Sequence, residues 1–104
     1  MFANMTARQK ARLLVRSKDV LSDGAIVEMV IWLLPEPVPG CSHPYKYRLY
    51  YGRSGTRLVG FDNERPKGDH FHLGRKEHEY IFDGVDKLVE DFRSAVQDRR
   101  KRND

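Results

Sequence analysis

The residues best suited to chemistry lie close together, between positions 61 and 72. This stretch combines acidic side chains, a lysine, an arginine and two histidines, while Pro66 and Gly68 stiffen and then turn its backbone. If a strand starts at Asp69, its period of two places His70 and His72 on one face, roughly 7 Å apart along the backbone. Two histidines at this spacing can flank one phosphorus atom or hold one metal ion.

Metal-independent cleavage of RNA is the reaction that fits these groups. The 2′-OH attacks the adjacent phosphate, so a base must take its proton, an acid must protonate the leaving 5′ oxygen, and a cation must stabilise the phosphorane. Histidine suits the first two roles because its pKa lies near working pH. We predict His70 as the base, His72 as the acid and Lys67 as the cation, with Asp69 orienting a histidine. The order of the two histidines stays open.

Substrate contacts are predicted around this stretch and on an earlier strand. The segment from Tyr45 to Tyr51 interleaves aromatic and basic residues, a pattern that can stack bases and contact phosphates. Its tyrosines equally fit the half-buried face of a strand, and Asp62 and Asn63 equally fit a turn. The predicted substrate-binding residues are Lys46, Arg48, Tyr50, Asp62, Asn63, Arg65 and Arg75.

Two other interpretations of the histidines remain open. The His-x-His pair with Asp62 or Asp69 would supply three ligands of a transition-metal site. This short motif is a weak signal, and no cysteine joins it, so we predict no metal and no cofactor. Alternatively, the histidines are solvated surface residues and the Asp–His neighbours are structural hydrogen bonds.

Composition indicates one soluble domain and is compatible with an anionic partner. The chain has 104 residues and a formal net charge of +4, which suits one modest core and a polyanion. Basic residues crowd an N-terminal arm, 1–10, and a C-terminal tail, 99–104, both predicted to be flexible. A lone Cys41 fits a reducing compartment, and the apolar runs are too short for a membrane span. We therefore predict a cytoplasmic protein with no membrane contact.

Hydrophobic periodicity predicts an α+β fold, an antiparallel β-meander of hairpins packed against a C-terminal α-helix. Strands are expected over 12–21, 25–34, 45–51, 56–61 and 78–82, with an N-terminal helix up to Val15 as an open alternative. The strand over 25–34 is apolar on both faces and should be interior and covered on each side. Three prolines make 35–40 the start of a stiff crossing segment that ends near Pro44.

Local signals place the turns and the helix start. Asp23-Gly24 predicts a type I′ hairpin turn, and residues 52–55 predict a second hairpin loop. Asp83 is expected to cap the final helix. An apolar stripe at spacings of three and four indicates its buried face, formed by Val85, Leu88, Val89, Phe92 and Val96.

Three parts of the chain resemble the TumE-like family of small bacterial toxins. These are Pro35-Glu36-Pro37-Val38-Pro39-Gly40, Tyr45-Lys46-Tyr47-Arg48-Leu49, and Asp62-Asn63 with Lys67-Gly68-Asp69-His70-Phe71-His72; the terminal Leu88-Val89-Glu90-Asp91-Phe92 helix also fits. The resemblance covers roughly residues 10 to 96. Its specific part is the Lys-Gly-Asp-His-x-His element, since the hairpins are generic.

The resemblance implies a growth-inhibiting toxin encoded beside a helix-turn-helix antitoxin that neutralises it. By analogy with other small α+β toxins, RNA is the expected target, and the enzyme would be an endoribonuclease similar to the mRNA interferases. A homodimer is compatible with the sequence. Two alternatives stay open: a non-catalytic inhibitor that binds nucleic acid or protein, and a nucleotide-dependent modifying enzyme that uses the same polar cluster.

Overall fold

Between residues 10 and 102, the chain forms one antiparallel sheet with one helix across it. The computed structural model describes residues 10–102. Within this range, six strands form one sheet whose spatial order follows the chain, so each strand pairs with the next along the sequence. The strands are β1 (Arg12–Val20), β2 (Ile26–Leu33), β3 (Tyr45–Arg53), β4 (Thr56–Asp62), β5 (His70–Leu73) and β6 (Lys76–Glu79), followed by helix α1 (Val85–Lys101). The predicted α+β meander with a C-terminal helix is confirmed.

The core lies between one face of the sheet and the helix. Alternate residues of the central strands point toward the helix, as the period of two requires. Tyr47, Leu49 and Tyr51 of β3 are almost fully buried, and Val59 and Phe61 face the same way from β4. The helix contributes the buried residues Leu88, Phe92 and Val96.

The predicted apolar stripe of the helix is therefore confirmed as its packing face. Phe92 meets Phe61 edge-on, with ring centroids 5.9 Å apart. Such aromatic pairs add roughly 0.5–1.5 kcal/mol to simple burial.

The N-cap of the helix is Gly84, one residue after the predicted cap Asp83. Gly84 takes the N-cap position with φ 99°, and no side chain caps the first turn. The expectation for Asp83 was wrong because a glycine, which adopts this φ without strain, directly precedes Val85. The basic residues that follow are helical rather than a free tail as far as Lys101, and the arm 1–10 lies outside the described residues except for Lys10.

The turn between β1 and β2 and the turn between β3 and β4 differ from the prediction in type and length. Leu21 N–H donates to Ala25 O at 2.8 Å and Gly24 N–H to Leu21 O at 2.9 Å, while only Gly24 has positive φ. This is a wider turn closed by one left-handed glycine, so the type I′ prediction there was wrong. The two-residue turn with positive φ at both positions is Ser54-Gly55, and positions 52–53 continue β3.

Two expected strands differ in their surroundings. β2 is interior, as predicted, but within residues 10–102 the helix covers only its Met29 and Ile31 face. The last strand occupies Lys76–Glu79 instead of 78–82. Tyr80 and Phe82 leave the sheet edge because their side chains have other partners. The hydroxyl of Tyr80 donates to Asp91, and the Phe82 ring stacks on His43.

The proline-rich crossing segment, residues 35–44, packs on the loop between β4 and β5. Gly40 and Gly68 meet there with φ of 91° and 83°. A Cβ on Gly68 would lie 2.8 Å from the carbonyl oxygen of Gly40, and a Cβ on Gly40 would collide with the carbonyl of Pro66. The two segments can approach this closely only because both positions lack side chains.

Candidate functional site

The sheet surface opposite the helix, which we call the open face, carries the polar residues. In an antiparallel sheet, cross-strand partners share a face. The register therefore aligns two rows across all six strands. One row contains Arg16, Val30, Arg48, Asp62, His70 and Glu79, and the neighbouring row contains Lys18, Glu28, Tyr50, Gly60, His72 and Glu77.

His70 is the buried member of the histidine pair. Only 4% of it is exposed, and its ring lies edge-on to His72 with centroids 5.0 Å apart. Its Nδ1 donates to the carbonyl oxygen of Gly68 at 3.0 Å, so the hydrogen of the neutral ring is fixed on Nδ1. The remaining nitrogen, Nε2, faces the carboxylate of Asp62.

The imidazole of His70 is in close contact with the carboxylate of Asp62. Nε2 lies 2.7 Å from Asp62 Oδ1. Oδ1 is buried, and no donor in residues 10–102 is aligned with it for a hydrogen bond. The contact becomes an ion pair when His70 is protonated, and the pair can then give up that proton.

His72 is the more accessible histidine. It is half-buried, and no hydrogen bond to its ring is present within residues 10–102. Burial lowers the pKa of His72 below its ordinary value of 6.5, and the positive charge of Arg57 lowers it further. His72 is thus held neutral and unbonded, as a group that accepts a proton must be.

A basic pocket of about 440 Å³ opens on this face next to the histidines. Its wall contains three arginines, from β3, β4 and the β5–β6 turn, together with an aromatic ring, a glycine and a carboxylate; these are Arg48, Arg57, Arg75, Tyr50, Gly60 and Asp62. A Cβ on Gly60 would lie 2.7 Å from Cδ of Arg57. The arginine stem therefore lies across the glycine that is the cross-strand partner of His72.

A second polar cluster lies where the crossing segment meets the sheet. His43 Nδ1 accepts from the backbone N–H of Tyr45 at 3.1 Å, so Nε2 carries the hydrogen and donates to Asp69 at 2.9 Å. The hydroxyl of Tyr47 donates to the same carboxylate at 2.6 Å. Burial, followed by this hydrogen bond, raises the pKa of Tyr47 above its ordinary range.

This second cluster is a structural clamp. Asn63 is fully buried, accepts from the N–H of Tyr47 at 3.0 Å and donates to the carbonyl of Tyr45 at 2.6 Å. Cys41 lies beside it, and burial raises the pKa of its thiol. A protonated thiol and fully bonded polar partners hold the crossing segment against β3.

The predicted site residues separate into two groups. His70, His72, Arg48, Tyr50, Asp62 and Arg75 come together on the open face. Asp69 instead contacts His43 and Tyr47, and Asn63 lies in the clamp. Lys67 is bound to Glu77 at 3.2 Å, and this hydrogen bond lowers the pKa of Glu77. Lys46 is half-buried on β3, and Arg65 is exposed in the loop before β5.

Sequence reasoning missed Arg57 and His43. Arg57 sits one residue into β4, where the exposed start of a strand gives no functional signal. The β-bulge between Tyr51 and Gly52 displaces the register there, so its place on the open face depends on an irregularity. His43 follows Cys41 in the crossing segment, and its contact with Asp69 spans 26 positions of sequence.

Two sets of side chains could hold a metal ion. The donor atoms of Asp62, His70 and His72 lie within 4.8 Å of one another, as do those of Cys41, His43 and Asp69. In the second set, His43 Nδ1 already faces an N–H donor, so a metal on Nε2 would require an anionic ring. The His-x-His motif is therefore completed by Asp62 and not by Asp69.

The comparison with known families now identifies the chain's relatives. The family model described as "Toxin TumE" matches residues 6–100. The chain belongs to the TumE toxin family. The resemblance seen in the sequence is thus confirmed, and membership makes the chain a toxin of a toxin–antitoxin module with an antitoxin as partner.

Other comparisons give no further assignment. The search of curated proteins and the search of solved structures returned no significant match. In residues 10–102, no helix combines the length and the apolar character needed to cross a membrane.

Proposed function

We propose that this TumE-family toxin inhibits growth by cleaving RNA on the open face, without a metal ion. The observation that carries the proposal is the pairing of an arginine-lined pocket with two histidines of different accessibility. Arginines bind phosphate, and a neutral histidine beside a protonated acid pair supplies both halves of a proton relay. RNA is the substrate with a 2′-OH next to its phosphate.

The arginines are assigned to the phosphate. Arg57 and Arg75 approach the pocket from β4 and from the β5–β6 turn, so they can contact two oxygens of one phosphate. They take the role that the sequence suggested for Lys67, whose ammonium group is engaged by Glu77. A guanidinium stabilises the phosphorane because it keeps its charge at every pH at which the protein is folded.

The two histidines take opposite roles from those first suggested. His72 is neutral and unbonded, so it accepts the 2′ proton. The proton held between His70 and Asp62 passes to the leaving 5′ oxygen, because Asp62 lines the pocket while His70 is buried behind it. Asp69 acts indirectly, by fixing the backbone that carries His70.

The test is cleavage of a mixed-sequence RNA by purified protein in EDTA, with the ends of the products analysed. The wild type is expected to leave 2′,3′-cyclic phosphate ends. His72→Gln is expected to lower the rate roughly 10²–10⁴-fold, which is the usual contribution of a general base.

The matched control is His78→Gln. His78 lies on β6, and its ring stacks on Phe71 on the helix side of the sheet. The His78→Gln variant should therefore keep full activity and a normal melting curve. If both variants cleave equally, or if cleavage stops in EDTA and returns with added metal ion, the proposed mechanism is wrong. Growth inhibition that survives in folded His72→Gln would favour a non-catalytic inhibitor.

A further inference from the structure

The surface next to the pocket also carries groups suited to RNA. We propose that single-stranded RNA lies across the whole open face, from the histidines on β5 to Arg16 and Lys18 on β1. This inference rests on the proposed function for its substrate, but it concerns a separate part of the surface. The distance from β5 to β1 is roughly 19 Å at about 4.8 Å per strand spacing.

The register places the two distant cations in line with the site. Arg16 lies in the cross-strand row of His70, and Lys18 lies in the row of His72. Both side chains are exposed, and neither forms an ion pair within residues 10–102. Two free cations aligned with a phosphate pocket are suited to the phosphates of the same strand.

The open face also carries two aromatic side chains. Tyr50 lines the pocket, and the Arg48 guanidinium lies 5.3 Å from its ring centroid. Trp32 is half-buried on the same face, as the register with Lys46 indicates. Bases stack on such rings only when they are unpaired, because a duplex keeps its bases stacked on one another.

The charge of β2, which lies between β1 and β3, does not oppose an RNA strand on the open face. Glu28 is the acidic residue of the β2 segment in these rows, and its carboxylate lies 3.5 Å from Arg48. The helix on the other side of the sheet exposes both acidic and basic residues, Asp86, Glu90 and Asp98 with Lys87, Arg93, Arg100 and Lys101. The open face differs from it because its cations are aligned across the strands with an arginine-lined pocket.

The experiment measures binding separately from cleavage. A fluorescent single-stranded 12-mer with 2′-O-methyl groups has no free 2′-OH and stays intact, so its affinity is followed by anisotropy over a series of salt concentrations. Arg16→Gln with Lys18→Gln should bind several-fold more weakly. The slope of log affinity against log salt should fall by about 1.4, since each phosphate contact of a single strand contributes about 0.7. Each single substitution should account for about half of that change.

The matched control removes the same charge from the helix. Arg93→Gln with Lys101→Gln should leave both affinity and slope unchanged. Cleavage of a dinucleoside monophosphate, which is too short to reach β1, should be equal in the wild type and in Arg16→Gln with Lys18→Gln.

Three outcomes would overturn the inference: an unchanged slope in the β1 variant, an equal loss in the helix control, or binding of an RNA duplex as tight as that of the single strand. If the wild type binds the 12-mer as expected but cleaves no RNA, the proposed reaction fails and the binding path stands.

Discussion

His70 and His72 are the same residue type two positions apart, and the fold gives them different protonation chemistry. One has both nitrogens engaged, by the Gly68 carbonyl and by Asp62. The other has no hydrogen bond within residues 10–102 and sits next to a positive charge. We therefore propose that one strand supplies both a donor and an acceptor of protons, since only His70 is buried and contacted at both nitrogens.

The pH profile of cleavage should report the environment of His72. Burial and Arg57 lower the pKa of this histidine below 6.5. Because a base works only when unprotonated, and kcat/KM reports the free enzyme, we expect the acidic limb of kcat/KM to have its midpoint below pH 6.5. Arg57→Gln removes a positive neighbour, so the pKa rises and the limb should move to higher pH, in addition to any loss of phosphate binding seen in KM.

The readout for this prediction is the midpoint of the limb and not the size of the rate. Arg93→Gln, which removes an exposed charge from the helix, should leave the midpoint in place. A midpoint that stays fixed in Arg57→Gln would contradict the proposed pairing of Arg57 with His72.

At the residue scale, the sequence predicts which face of a strand a side chain occupies, but not which residue it contacts. The shared face of His70 and His72 follows from that period. The partner of His70 does not, because Asp62 faces it only through the register of β4 with β5. The adjacent Asp69 was the simpler sequence choice, but neighbouring residues at a strand end point in opposite directions. Its carboxylate therefore reaches His43 instead.

At the scale of elements, the contact between the crossing segment and the loop before β5 fixes where the site can form. This loop supplies the Gly68 carbonyl that orients His70. It is held in place from the other side by Gly40 and by the clamp around Asn63. The site is thus stabilised by residues that line none of the pocket.

We expect Gly40→Ala to destabilise the fold more than Gly24→Ala. Both glycines have positive φ, near 90° in each case, and that conformation costs an alanine roughly 1–2 kcal/mol. A Cβ at Gly24 has no atom within 4 Å, whereas one at Gly40 collides with the Pro66 carbonyl. Urea unfolding should show the larger loss of free energy for Gly40→Ala, and equal losses would contradict the packing described for this contact.

The elements themselves were largely predictable, and their ends were not. The alternation of apolar and polar residues predicted β3 and β4. The apolar stripe predicted the buried face of the helix, which includes Leu88, Phe92 and Val96. Turn types failed at Asp23-Gly24 because an Asp-Gly pair fits both a two-residue turn and a wider one. The last strand was placed too late because Tyr80 and Phe82 have strand-forming side chains that pack elsewhere.

At the scale of the whole molecule, we expect the open face to be the surface that the antitoxin covers. We expect the cognate antitoxin to release the 2′-O-methyl RNA from the toxin in a competition measured by anisotropy, because occupation of the basic face excludes a second polyanion or acidic partner. A stable complex containing toxin, antitoxin and RNA would contradict this expectation. An antitoxin bound on the helix side would be the explanation in that case.

Overall architecture was the most predictable property, since a chain of hairpins followed by an amphipathic helix has few ways to bury its apolar faces. The sequence did not predict which face of the sheet the helix covers. β2 is apolar on both sides, so covering on each side was expected, but only its Met29 and Ile31 side is fully buried. The polar open face arises from this asymmetry.

The position of helix α1 at the end of the described chain has a consequence for synthesis. All six strands are translated before Leu88, Phe92 and Val96, which close the core. Arg100 then ties the helix end back to Asp23 in the first hairpin and to the hydroxyl of Tyr51. A nascent chain therefore exposes the apolar side of a nearly finished sheet until the helix has left the ribosome. Folding to a competent toxin must follow translation of the helix, and during that interval the chain is open to chaperones, proteases and an antitoxin already present in the cell.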